Sequence, residues 1–171
     1  MEFAFAGCAI LVVTAFITDI KSMKIPNVLT IPAIICGMLY HLIDSGWSGV
    51  MFTGKGLLVG FGILLIMYCM GAVGAGDVKL FGGIGAWTGT LFTIQSLLYS
   101  ILFAGLIGMF ILLWRRETLV RLRKVIRGIV GLFVLKDSVA LRMVSKEQIR
   151  FPFMIAVVPG MICAYLYAVP Y

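Results

Sequence analysis

The chain has 171 residues, a net charge of +7, 62% hydrophobic residues and only 12% charged ones. Its mean hydropathy is +1.12. A soluble domain is nearer half apolar, so there is too little polar sequence here to cover a core in water, and the solvent is a bilayer. The length suits one compact membrane domain over residues 1–171, with no linker.

In chain order, the stretch MEFAFAGCAILVVTAFITDIKSMKIPN comes first. It has no basic n-region and no small-residue cleavage site before its charges, so it predicts a first transmembrane helix rather than a cleaved signal. A bilayer core takes about 20 helical residues, fewer when the ends lie in the interface. On that measure the apolar runs predict an all-α, polytopic fold of about six crossings: Phe3–Thr18, Val28–Ile43 with Pro32 near its start, Gly56–Val73, Leu80–Phe92, Thr93–Trp114 and Phe151–Val169. The division between the fourth and fifth rests only on the weak turn signals of GTLFTIQS. Gly56/Gly60 and Gly85/Gly89 are GxxxG spacings, which allow close helix approach.

Charge sets the orientation. With the N-terminus outside, Lys21, Lys24, Lys79 and the basic segment Arg115–Arg150 all fall inside, and only Lys55 falls outside. That is a strong positive-inside bias, and an even number of crossings puts the C-terminus outside as well. Within RRETLVRLRKVIRGIVGLFVLK, Leu119, Leu122, Ile126, Ile129, Val130 and Phe133 recur at helical steps beside Arg116, Arg123, Lys124 and Arg127. This predicts a basic amphipathic helix on the anionic inner leaflet, with lipids rather than nucleic acid as its partner.

Cys8, Cys36, Cys69 and Cys163 are scattered through apolar runs and His41 is the lone histidine. No CxxC pair exists, so no zinc site, other metal or cofactor is expected, and the thiols are read as buried and inert. Of the seven acidic residues, Glu2, Asp44, Glu117, Asp137 and Glu147 suit solvated positions. Asp19 and Asp77 differ, because they adjoin apolar spans at the inner membrane boundary, where an unpaired carboxylate is costly. Each is followed two residues later by a lysine, Lys21 and Lys79. For either aspartate alone, a helix-terminal polar residue or an N-cap is an adequate account. The glycines around Asp77 (Gly71, Gly74, Gly76, Gly82, Gly83, Gly85) predict a local unwinding, which at membrane depth is tolerated only when buried or lining a wet cavity. Two carboxylates meeting there would share a proton, one acting as base and the other as acid, as activation of water against an amide requires.

GAGDVK, with TDIKSMKIPN upstream, resembles the type IV prepilin peptidases, the GxGD intramembrane aspartic proteases. The resemblance takes in the aspartate closing the first helix, the IPN element (Ile25, Pro26, Asn27) opening the second, the GxGDxK element and a closing span with Pro152 and Pro159. It implies that Asp19 and Asp77 are the catalytic pair, supported by Gly74, Gly76, Lys21, Lys79, Pro26 and Asn27. It also implies cleavage, at the cytoplasmic face of the plasma or inner membrane, of a short basic leader from prepilin-like precursors, after a glycine. Long members carry an extra N-terminal segment with paired CxxC motifs, associated with N-methylation. This chain is similar instead to short, peptidase-only forms, such as those of tight-adherence (Flp) pilus systems, and archaeal preflagellin peptidases share its motif. Residue types alone also permit a small proton- or cation-coupled transporter using the same aspartates. Against that, both lie near one surface, whereas transporter sites sit near the midplane between repeats.

Overall fold

The computed structural model describes residues 2–23, 25–114 and 153–168. Among these are four α-helices and no strand: α1 (Glu2–Ser22), α2 (Asn27–Cys69), α3 (Ala75–Trp114) and α4 (Met154–Ala168). The first three are long and apolar enough to cross a membrane, over Phe3–Ser22, Asn27–Cys69 and Ala75–Ile111, and α4 is a shorter apolar helix. The described residues are therefore all-helical, with three helices able to cross a membrane. The basic segment Arg115–Arg150, with Glu117, Asp137 and Glu147, lies outside the described residues, as do Lys24 and Pro152.

The chain divides into two compact units, Met1–Ala104 with Pro152–Tyr171, and Gly105–Phe151. The described part of the second is the end of α3, residues 105–114, with Leu106, Met109 and Phe110 exposed. The first unit contains both aspartates.

A straight helix of 43 residues, the length of α2, would run about 64 Å, roughly twice the bilayer core. It is not straight. Gly46 has φ 60° and ψ −137°, a conformation open to glycine but not to ordinary L-residues. Beyond it the chain doubles back so closely that a Cβ on Gly49 would collide with the His41 carbonyl. Gly89, with φ 77° and ψ −174°, interrupts α3 in the same way. Four helices with two such interruptions make six helical segments. The expected loop between Ile43 and Gly56 is helical on both sides of Gly46, so Asp44 is an exposed helical residue, its carboxylate accepting the Ser45 hydroxyl at 2.9 Å. The division expected at Phe92/Thr93 falls instead at Gly89.

Small residues let the segments approach. Gly56 lies against the Gly85 carbonyl and Gly89, and Gly60 against the Phe81 carbonyl, so the two GxxxG pairs belong to one interface between α2 and α3. Trp87 wedges between α1 and α2, its ring against Gly7 and Gly37 and its Nε1–H donating to the Ala33 carbonyl at 2.9 Å. Gly160 of α4 rests against Ser100 of α3. Where Gly89 breaks the α3 ladder, the Trp87 carbonyl lies 2.9 Å from His41 Nε2 and Thr93 donates to the Gly89 carbonyl at 2.6 Å. These side chains satisfy backbone groups that the break would leave bare. The core under the aspartates is apolar, with Leu64, Leu80, Phe81, Ile84 and Val157 fully buried. Cys8 is buried as expected, but Cys163 is only half-buried and Cys36 and Cys69 are exposed. In an apolar solvent a thiol has no reason to turn inward.

Candidate active site

Asp19 stands in the last turn of α1, which runs on to Ser22 rather than stopping at Thr18. Beyond it Met23 takes a left-handed φ of 50° and donates its N–H to the Asp19 carbonyl at 2.8 Å, which turns the chain toward Ile25. Asp77 stands in the first turn of α3, which begins at Ala75, so the unwound stretch precedes Asp77 and does not include it. Both carboxylates are buried, Asp19 at 6% and Asp77 at 8% exposure. They come from different helices, with Asp19 close enough for its charge to be felt at Asp77.

Each is anchored by one backbone amide. The Gly74 N–H donates to Asp77 Oδ2 at 3.0 Å, and the Asp77 N–H returns a bond to the Gly74 carbonyl at 3.1 Å. Asp77 thus reaches back over the first turn of its own helix to the Gly74 amide, as the acidic residue of a capping box does, while its own N–H makes an ordinary first-turn backbone bond. The Met154 N–H donates to Asp19 Oδ2 at 3.2 Å across a sequence separation of 135 residues.

The glycines differ from expectation in their role. Of those preceding Asp77, Gly71 takes the left-handed φ of 75°, whereas Gly74 and Gly76 do not. They are required for room, not for backbone freedom. A Cβ on Gly74 would stand 3.2 Å from Asp77 Oδ2, and one on Gly76 would stand 3.2 Å from the Ile25 Cβ and 3.3 Å from its nitrogen. Ile25, buried at the turn into α2, thus packs directly on the glycine before Asp77. Pro26 is the extended N-cap of α2, and its carbonyl accepts the Leu29 and Thr30 amides. Asn27 Oδ1 accepts a 2.7 Å bond from Lys79 Nζ. Lys21 is exposed. Residues two apart on a helix face different ways, so neither lysine is directed at its neighbouring aspartate.

Asp19, Ile25–Asn27, Gly74–Lys79 and Met154 therefore gather at one end of the first unit. At the other end, Ala4, Phe5, His41, Asp44, Phe52 and Trp87 line an open cavity of about 300 Å³. Ala4 and Asp19 are 15 residues apart on α1, or about 22 Å, so that cavity is separate from the carboxylates. Two site groups have no counterpart in the sequence reading, the Ile25 contact with Gly76 and the Met154 amide. The proline before the last helix hints at a helix start, but no letter of the sequence ties that start to Asp19.

Fold and site define a helical membrane protein with two buried carboxylates, from different helices, at one end of its first unit. Residues 6–113 match the profile of the type IV leader peptidase family, and the chain belongs to that family. The matched region contains both aspartates and stops short of α4. A prepilin leader peptidase/N-methyltransferase of Bacillus subtilis (strain 168) is 31% identical over 101 residues, which cover 57% of this chain and 40% of that relative's length. No solved structure gives a significant match.

Proposed function

We propose that the protein is an intramembrane aspartic endopeptidase that removes a short basic leader from prepilin-like precursors at the cytoplasmic face of the plasma or inner membrane. The observation that carries this reading is the pair of buried carboxylates from separate helices, each held by one amide at the same end of the first unit. A pair sharing one proton supplies a base and an acid together. Asp19 and Asp77 hold the attacking water between them. The ionised carboxylate takes a proton from the water as its oxygen bonds to the scissile carbonyl carbon. The protonated one gives its proton to the carbonyl oxygen, and the tetrahedral intermediate collapses as a proton passes to the leaving amine.

In this reading α2 and α3 each cross the bilayer twice, turning at Gly46 and Gly89, and with α1 and α4 they make six crossings with both termini outside. The basic residues of 115–150 then lie against the anionic inner leaflet. The test is cleavage of a prepilin-like substrate by purified protein in lipid. Asp19→Asn and Asp77→Asn each abolish cleavage while the protein remains inserted and folded, because an amide cannot accept the water's proton. The double variant is no worse than either single one, since one carboxylate without its partner has little left to lose. Asp44→Asn, about 22 Å or more away along the helices, cleaves normally. Near wild-type cleavage by either active-site variant refutes the aspartic mechanism.

A further inference from the structure

The last helix supplies a group to this site, and the inference rests on the peptidase reading above. The Phe153 carbonyl accepts the Ala156 and Val157 amides at 2.9 and 3.2 Å, so Phe153 is the N-cap of α4 and Met154 its first helical residue. The first amides of a helix have no acceptor within the helix and carry the positive end of its dipole. A phenylalanine at the N-cap has no side-chain oxygen to offer them. The amide of Met154, a fully buried residue, goes instead to Asp19 Oδ2. Asp19 is thus an N-cap in trans, a side chain of α1 capping α4.

The bond constrains the carboxylate as much as the helix. An amide that belongs to a packed helix restricts the turning of the Asp19 carboxylate by holding Oδ2, and on the peptidase reading this presents Oδ1 to the water. Asp77 is held in the matching way, its Oδ2 fixed by the Gly74 amide at the start of α3. We infer that the N-terminus of α4 is part of the catalytic apparatus, with the Met154 N–H acting as the positioning group that orients Asp19. The assignment goes beyond the family match, which ends at residue 113. A charge-assisted bond from a fixed amide is stronger than a neutral one, and misplacement of a reacting group by about 1 Å costs about 100-fold in rate.

Two variants remove the N–H. Met154→Pro deletes it at the first helical position, where proline is well tolerated. The α-hydroxy analogue of methionine installed at position 154 deletes it and keeps the side chain. Met154→Ala keeps the N–H and trims the side chain, so it reports the packing loss alone. With a prepilin-like substrate, the proline and α-hydroxy variants are expected to lose about 10- to 100-fold in kcat relative to Met154→Ala and wild type respectively, with KM within about twofold. A merely structural contact would lower the unfolding midpoint without that selective loss of kcat. An α-hydroxy variant with kcat within about twofold of wild type overturns the inference, whatever the proline variant does. Independently of any activity, hydrogen exchange at the Met154 amide is expected to be about tenfold or more faster in Asp19→Ala than in wild type. Unchanged exchange shows that Asp19 does not cap α4. An inactive wild type with that exchange effect intact refutes the peptidase reading and leaves the cap standing.

Discussion

Two residues after Asp19 and two after Asp77 stands a lysine, and on an α-helix that spacing separates the two side chains. Lys79 turns from Asp77 to Asn27, 52 residues back, and with the Ile25–Gly76 contact it fastens the IPN turn over the start of α3. Its effect on Asp77 is therefore indirect, through the backbone that both share. Lys79→Ala and Asn27→Ala are each expected to lower cleavage partially and to destabilise the fold by on the order of 1 kcal/mol, because the bond is exposed to solvent. Denaturant unfolding of the two single variants and the double should show coupling, the double costing little more than the worse single. Fully additive losses would mean that the two residues act separately. At this scale the carboxylates were legible in the sequence, because a charged letter in an apolar run is costly and calls for a reason. Their partners were not. Gly74 and Met154 contribute backbone amides, which every residue but proline possesses.

At the scale of the element, the informative feature is a helix too long for a bilayer and folded back at one glycine. The six apolar segments were readable from composition, but the breaks were not. GTLFTIQS carries turn-like letters, and the break falls on its first residue, Gly89, rather than at the Phe92/Thr93 division expected within it; nothing in the letters singles out that glycine among many. What fixes the break is the partner surface. Gly89 lies against the Phe52 ring, and Gly56 and Gly85 meet backbone to backbone. Gly56→Ala, Gly85→Ala and Gly89→Ala are each expected to destabilise by on the order of 2 kcal/mol or more, since neither a carbonyl nor a glycine at φ 77° can yield cheaply. Gly54→Ala and Gly62→Ala meet open space and should be neutral or stabilising by up to about 1 kcal/mol. Unfolding in a denaturing-detergent titration separates the two groups. Equal effects would show that the glycines serve helix flexibility in general rather than this interface.

At the scale of the whole molecule, the first unit has two distinct ends. The ends of α1 and α2 and the starts of α2, α3 and α4 lie with the aspartates, while the turns at Gly46 and Gly89 lie with the start of α1. If Lys21, Lys79 and the basic residues of 115–150 lie on the cytoplasmic side, the aspartates lie there too, and the turns at Gly46 and Gly89 face out. Single cysteines in a Cys-free variant, labelled with an impermeant thiol reagent on intact cells, test this directly. Ser45→Cys is the outer probe, because it is exposed beside the Gly46 turn and nearly isosteric. A cysteine at Gly46 itself would be strained. Lys124→Cys is the inner probe. Position 45 is expected to label from outside, and position 124 only after the membrane is opened. The opposite pattern would put Asp19 and Asp77 on the outer face, where a leader still on its cytoplasmic side could not reach them, and the prepilin reading would fail even if both carboxylates proved essential.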